Sequence, residues 1–373
     1  MSRPLVSIVK VDGDEIAATE EVIKLLGGME KFVKKGSKVF IKPNLLGGGA
    51  PKSGVSTNPI VTVAVIKILK KLTDDVSLID SNYNVPSVEG APIAIEPSLD
   101  RIYRRPQFDI YRDLGVKLVN LSNDKMTGYK NPSLNVLGDH KLPSILTTAD
   151  AIINIPVMKV HDITAVTLGM KNLYGLIPIP QVRAKLHKVI DEAICDLVQL
   201  FSPNLTVIDG TIGMEGGYSP CFGAPADANI IVAGSDIVAT DSVAASIMGF
   251  DYHKITQKNP IALGEERGLG KARLSEIDVV GEKISDVKRP FDFDKNLPET
   301  LVTVFMERRW LTESDILHHF RGKEDLVRRY LRNMILYYGP IIEARGGYEY
   351  VDELFQKHFV CRACGKCGKW GIM

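Results

Sequence analysis

Three cysteines, Cys361, Cys364 and Cys367, repeat as C-x2-C-x2-C near the end of the chain. That spacing lets successive thiolates turn inward onto one cuboidal iron–sulfur cluster, and it is the sharpest chemical signal in the sequence. A full ferredoxin run adds a fourth cysteine and a proline, whereas Cys367 is followed by GKWGIM. The fourth ligand stays open between Cys221, Cys195, His358, a partner chain, and a substrate or water on an open iron. Zinc is the competitor, since His358 would complete a Cys3His set. Four ligands packed so closely depart, however, from the two separated pairs of structural zinc sites. A 4Fe-4S cluster is therefore the expected cofactor and zinc the alternative. Cys195 lies within an amphipathic helical pattern and reads as a small core residue.

A second concentration of chemistry is IPVMKVHDITAVTLGMKNLYGLIPIP, residues 155–180. An apolar core is not interrupted by Lys159, His161 and Lys171 unless each has a partner, an anion or a route to water. Lysines so placed have labile pKa values, which suits anion binding or proton transfer. A snorkelling lysine and a hydrogen-bonded core histidine are the plainer reading, weighed against the gathering of perturbed ionisable groups at functional sites.

Further polar groups follow apolar runs: Lys42 and Asn44 after VFI, Asp80 and Asn82 after SLI, Asp209 after TVI, and Asp236 after VAGS. In an open parallel sheet, ligands bind beyond the carboxyl ends of the strands, so these endings point at one shared site. Singly, Asp209 before a glycine is a turn former and Lys42 before Pro43 simply leaves the sheet; their joint placement argues for function. The loop NLLGGGAPKSGVSTNP (44–59) follows a strand and precedes a helix. Its backbone N–H groups, with Ser56 and Thr57, could cradle a phosphate or carboxylate at that helix start. It lacks the Walker A and Rossmann spacings, and a plain surface loop is the equal alternative. A second glycine-rich loop, DGTIGMEGGYSPCFGAP (209–225), carries Glu215 and Cys221 past its strand.

The elements that must position these residues alternate. Runs 37–44, 75–82, 115–122, 149–159, 204–210 and 228–236 read as strands, with 277–283 weaker, and 59–72, 187–201 and 237–249 read as helices. That order specifies an α/β fold, a mostly parallel sheet flanked by helices, over 1–285. Residues 286–358 are more charged with helical spacing and read as a helical appendage; 359–373 form a short cysteine tail. At 373 residues and 45% hydrophobic, the chain can bury a substantial core. A net charge of +1 spread along the chain gives no reason to expect nucleic acid or an anionic membrane as partner. No apolar run is long enough for a membrane span, and the start MSRPLVSIVKVDGDE lacks a signal-peptide pattern. A cytoplasmic protein is expected, and clustered odd cysteines suit a metal site in a reducing compartment.

IKPNLL, GVSTNP, MKVHDITAVTLGMKNLYGLIP, His187, VIDGTIGMEG and SDIVATDSVAASIMG occur in order. Together, over roughly residues 35–285, they resemble the domain of unknown function 362 (DUF362) family. The resemblance implies an iron–sulfur-associated protein and places Lys42, Asn44, Lys159, His161, Lys171, Asn172, His187, Asp209, Glu215, Asp236 and Asp241 at motif positions. Three tail cysteines depart from the one or two full ferredoxin runs common in that family.

The expected function is an iron–sulfur oxidoreductase acting on a small oxygenated, anionic organic molecule. Lys159 and Lys171 would hold its carboxylate, phosphate or enolate, and His161 or His187 would exchange protons. Asp209 and Glu215 would orient these groups or act as second acid or base. Lys42, Asn44, Ser56, Thr57, Asn172 and Asp236 would bind substrate, and Cys221 would join Cys361, Cys364 and Cys367 on the metal. An electron-transfer partner is implied, and self-association is left open. The alternatives are a non-redox lyase, isomerase or hydrolase whose tail metal is a structural staple, and an electron-transfer or scaffold protein without its own substrate.

Overall fold

Aliphatic and β-branched runs become strands here because their side chains alternate across two faces that both lie out of water. The structure, a computed structural model, describes residues 3–46, 53–83, 98–161, 163–219 and 222–293, with Gly322, Lys323, Asp325, Leu326 and Arg329. The first half runs β1 (Leu5–Lys10), α1 (Glu15–Leu25), β2 (Val39–Pro43), α2 (Pro59–Leu69), β3 (Val76–Asp80), α3 (Leu99–Tyr103), α4 (Asp109–Asp113) and β4 (Lys117–Asn120). A small separate pair, β5 (Met126–Gly128) and β6 (Lys141–Pro143), follows. Next come β7 (Ala151–Ile155), β8 (Val157–His161), β9 (Ala165–Thr167), α5 (Gly169–Asn172), α6 (Pro180–Leu186) and α7 (Ile190–Phe201). The body closes with β10 (Leu205–Ser219), β11 (Phe222–Ala226), β12 (Ile230–Gly234), α8 (Ile237–Ile247), α9 (Pro260–Glu266), β13 (Asp278–Gly281) and α10 (Ile284–Val287).

The central sheet has the order β13-β1-β12-β10-β7-β2-β3-β4 and is mostly parallel, flanked by helices: an α/β fold. Val39, Ile41, Ile153, Val207 and Ile231 face the core shared with α1 and α2. Phe40, Ile152, Ile208 and Val232 face the opposite core, with α5, α7 and α8. Strand β1 and helix α1 were not among the expected elements; β1 supplies the link between β12 and β13.

One direction departs from the parallel pattern. Past Ser219 the chain returns along β10, first as β11 and then as β12, and only residues 227–229 separate the two returning strands. So short a connection cannot hold a crossover, so β12 lies antiparallel to β10. Within that connection Asn229 takes a left-handed φ of 50°.

The body also runs past residue 285. The Arg289 and Phe291 amides donate to the Ile247 and Met248 carbonyls at 2.9 Å, and Phe291 enters the core. Glu215 on β10 accepts from Arg289 Nη1 and Nη2 (3.0 and 2.9 Å), from the Asp292 amide (2.9 Å) and from Arg329 Nη1 (2.7 Å). Leu326 packs over Gly216, where a Cβ would lie 2.9 Å from its methyl group. The rest of the expected appendage, and the cysteine tail, lie outside the described residues. Among the described residues no helix is long and apolar enough to cross a membrane.

Glu215 thus fastens the later chain to the sheet. Glu215→Gln should leave the body folded but speed amide exchange across 289–293 and 325–329, at a stability loss of about 2 kcal/mol. Unchanged exchange would mean that Leu326 alone carries the docking.

Candidate functional site

Parallel strands deliver polar groups to one edge of the sheet, and burial dictates that those groups bond to one another. Lys42 pairs with Asn154 in the register of β2 and β7. Its ammonium is 3.0 Å from Asp80 Oδ1 at the end of β3 and donates to the Pro43 carbonyl at 2.8 Å. Burial pulls the Lys42 pKa down, and Asp80 works against that shift. The other Asp80 oxygen accepts from the Tyr83 hydroxyl at 3.0 Å. Gly175 seats directly on this pair: a Cβ there would lie 2.9 Å from Asp80 Oδ1 and 3.0 Å from Lys42 Cε.

Asn172, from α5, donates to the Lys42 carbonyl (3.0 Å) and to Asn154 Oδ1 (2.8 Å), while Asn154 donates to the Gly169 carbonyl (3.0 Å). Asn44 Nδ2 lies 3.4 Å from Asn172 Oδ1. Lys159, with no exposed surface, donates to Asn44 Oδ1 (3.3 Å) and the Val55 carbonyl (2.8 Å). It therefore ties the glycine-rich loop to β8, whose register sets Lys159 opposite Met214 of β10.

Beside this row stands a cluster of rings and cations. Lys171 Nζ sits 4.9 Å from the centre of the Tyr174 ring, and His187 meets the same ring edge-on at 5.6 Å. His161 Nδ1 accepts from the Ile163 amide (3.1 Å) and the Thr164 amide (3.4 Å). That nitrogen carries no proton, so the ring is neutral with its hydrogen on Nε2. Burial drives the His161 pKa well below its usual value, and Lys171, His187 and Lys159 push the same way. His187 has the opposite tautomer: Nδ1–H donates to the Arg183 carbonyl at 2.8 Å, and in the neutral ring the lone pair is on Nε2. Burial and then Lys171 lower its pKa. One imidazole is thus fixed as a donor and the other as an acceptor, a division of roles that acid–base chemistry can use.

Several expected site residues prove to be fastenings. Asp209, buried, accepts from the Asn58 amide (2.7 Å), the Thr211 amide (3.0 Å) and the Thr211 hydroxyl (2.7 Å). The anion at the start of α2 is therefore the chain's own; burial raises its pKa and these bonds oppose the rise. Thr57 donates to the Ile155 carbonyl (2.6 Å) and accepts from the Asn44 amide (2.9 Å), and Ser56 donates to the Leu46 carbonyl (3.3 Å). Gly54 brings the loop against β10: its φ is +70° and a Cβ would lie 2.0 Å from the Gly213 carbonyl oxygen. Glu215 stays ionised: burial acts to raise its pKa, but its bonds to Arg289, Asp292 and Arg329 win and hold it low.

Asp236 is a correction to the idea of one shared crevice. Because β12 is antiparallel, its end at Gly234 lies in one row with Thr206, Asn154 and Lys42, and the chain leaves that row running away from the carboxyl ends where Asp80 sits. There Asp236 caps α8, accepting from the Ala239 and Lys271 amides at 3.0 Å. Asp241, in α8, accepts from the Gly169 and Met170 amides (2.7 and 2.8 Å), anchoring the start of the short helix that presents Lys171 and Asn172.

Among the described residues no group of three or more His, Cys, Asp and Glu is placed to hold a metal. Cys221, Cys361, Cys364 and Cys367 lie outside the described residues. Cys195 is a core residue of α7: burial pushes its thiol up to about 12, and Sγ is 3.7 Å from the Pro260 carbonyl. The model of the domain of unknown function DUF362 matches residues 39–246, more than half of the chain and every residue of the Lys42–Asp80 pair and the ring cluster. The chain belongs to the DUF362 family. A relative of this DUF362 protein is a thylakoid-associated protein of Synechocystis sp., 27% identical over 328 residues, covering 83% of this chain and 95% of that one.

Sequence reasoning passed over Arg183 and Asn154. Asn154 hides inside the apolar run AIINIP, and only the sheet register shows it level with Lys42. Arg183 sits four residues before His187, one helical turn away, in a segment that reads as ordinary amphipathic helix.

Burial lifts the Asp241 pKa to about 7, against the hydrogen bonds from Gly169 and Met170. A carboxyl raised on folding stabilises fully below its unfolded pKa, about 4, and that contribution is lost as pH climbs through about 7. Asp241→Asn should remove this slope. Urea unfolding at pH 4 and pH 8 should show the wild type losing more stability than the variant, by an amount on the order of 2–4 kcal/mol. Parallel pH profiles would refute the raised pKa.

Proposed function

We propose that this DUF362 protein is an iron–sulfur oxidoreductase acting on a small, oxygenated, anionic organic molecule. The observation that carries the reading is the neutral His161 ring among Lys159, Lys171 and His187 in a largely buried setting. Such a field attracts an anionic oxygen, and water exclusion strengthens it. Lys171 would hold the substrate's negative oxygen, with Lys159 setting the field and the position of the loop around Val55. His161, fixed as a donor, would give a hydrogen bond through Nε2–H; His187, with its free lone pair, would accept a proton. Asp209, Glu215 and Asp241 would act as positioning residues.

The donor set of the tail, three thiols at C-x2-C-x2-C, fits an iron–sulfur cluster, with Cys361, Cys364 and Cys367 as its ligands. When bound, the cluster would supply one-electron transfer. The reading implies an electron-transfer partner and a reducing, cytoplasmic setting in which the thiols stay free for metal. The Glu215–Arg329 contact supports action on this same body, because it fastens the chain leading to the tail next to the strand that pairs with Lys159. It equally suits the second reading, a non-redox enzyme whose tail metal is a staple.

Protein purified without oxygen should contain about four irons and four acid-labile sulfides per chain. One zinc without sulfide would move the assignment to the non-redox enzyme. Turnover is sought with a panel of small carboxylates and phosphate esters under a one-electron dye; Lys171→Met should abolish it while circular dichroism and iron content hold. Retained turnover would sink the role of that lysine. Serine in place of the three tail cysteines should end dye-linked turnover; a lowered melting temperature with turnover intact would favour the staple.

A further inference from the structure

We propose that Arg183, with Lys42, forms a buried oxyanion-binding subsite at the carboxyl ends of β2 and β3, which takes a carboxylate or phosphate group. It rests on the proposed function in one respect, that the group it anchors belongs to the substrate of the neighbouring crevice.

The argument is one of charge and donors. Arg183 is 7% exposed. Its Nη1 donates to the Ser81 hydroxyl at 3.3 Å and its Nη2 to the Asn82 carbonyl, both neutral acceptors. Among the described residues its buried Nε has no hydrogen-bond partner. The acid in its field is Asp80, but the Asp80 oxygens already serve Lys42, the Ser81 amide and the Tyr83 hydroxyl. Tyr83 stays a neutral phenol, held so first by burial and then by Asp80. Two buried cations therefore share one carboxylate. An excess positive charge out of water is stable only with a counter-charge or complete hydrogen bonding, and among the described residues Arg183 has only the Asp80 field it shares with Lys42 and an incomplete set of hydrogen bonds. An oxyanion meets both needs, since the planar guanidinium fork matches two oxygens of a carboxylate or phosphate.

The placement joins this subsite to the ring cluster. The Arg183 carbonyl accepts from the Tyr174 hydroxyl at 2.6 Å and from His187 Nδ1 at 2.8 Å. The backbone of Arg183 thus fixes the acceptor imidazole while its side chain reaches the end of β3. A molecule anchored by its anionic end at Arg183 would be held at a set distance from His187 and Lys171, and a purely structural arginine has no need of an unused buried donor.

Equilibrium dialysis with inorganic phosphate, and separately with acetate, tests the subsite. The wild type should bind at least one of them saturably. Arg183→Gln should weaken that binding by about 10- to 100-fold, with circular dichroism unchanged. Should the glutamine variant fail to fold, Arg183→Lys keeps the charge, loses the fork, and should still weaken binding several-fold. Unchanged affinity in the folded variant, or no saturable binding of either anion by the wild type, would overturn the proposal. A preference for phosphate would point to a phosphorylated substrate, and for acetate to a carboxylic acid. Arg183-dependent binding in a chain that carries no iron and shows no dye-linked turnover would leave the subsite standing while the oxidoreductase reading fails.

Discussion

The hydrogen bond from Asn172 Nδ2 to Asn154 Oδ1, 2.8 Å long and out of water, joins the sheet to the helix that presents the crevice. Asn154 lies level with Lys42, and the same Asn172 amide nitrogen also donates to the Lys42 carbonyl. One side chain therefore sets the height of α5 above β2 and β7 together. Breaking it would strand buried amide groups at a desolvation penalty of about 1–3 kcal/mol each, so the arrangement is nearly all-or-none. From that bond the rest follows in order: Lys171 one residue earlier, Tyr174 under its ammonium, and Gly175 on the Lys42–Asp80 pair.

The opposite end of α5 needs its own restraint, because a helix of four residues cannot stabilise itself. Asp241 provides it through two backbone amides, and Gly169 is required there: a Cβ would lie 2.7 Å from Asp241 Oδ1. Asp209 does the same for the loop before α2, and Glu215 for the chain beyond Arg289. The buried carboxylates of the body thus act as clamps on backbone and arginine. The groups around the ring cluster are lysines and histidines.

Much of the frame was legible. Strands β2, β3, β4, β7, β12 and β13 fall inside the runs that alternation marked, because a sheet buried on both faces must be written in continuous apolar residues; β10 begins in such a run but continues to Ser219. Lys42, Asn44, Lys159, His161, Lys171, Asn172 and His187 do come together. What the chain does not announce is direction and distant pairing. Asp236 ends a strand like the others, yet β12 follows the return of the chain past Ser219 and so runs antiparallel, away from the carboxyl ends of its neighbours. The partners of Glu215 lie 74 and 114 residues away, and no local pattern marks an arginine for a carboxylate that remote. Arg183 escaped for the same reason: its spacing is that of an exposed helix face, and only tertiary packing puts it under cover.

The crevice couples charge to protonation through these contacts. His161 and His187 are held neutral by burial and by the cations beside them, so each would gain affinity for a proton if an anion entered their field. By reciprocity, whatever favours the protonated ring favours the bound anion, and the two events share one coupling free energy. The Nδ1 bonds make the rings respond differently. Two backbone N–H groups aimed at His161 Nδ1 oppose a proton there, whereas the Arg183 carbonyl at His187 Nδ1 leaves Nε2 open to receive one. If an anion binds as proposed, proton uptake would therefore fall at His187, with His161 kept as a donor.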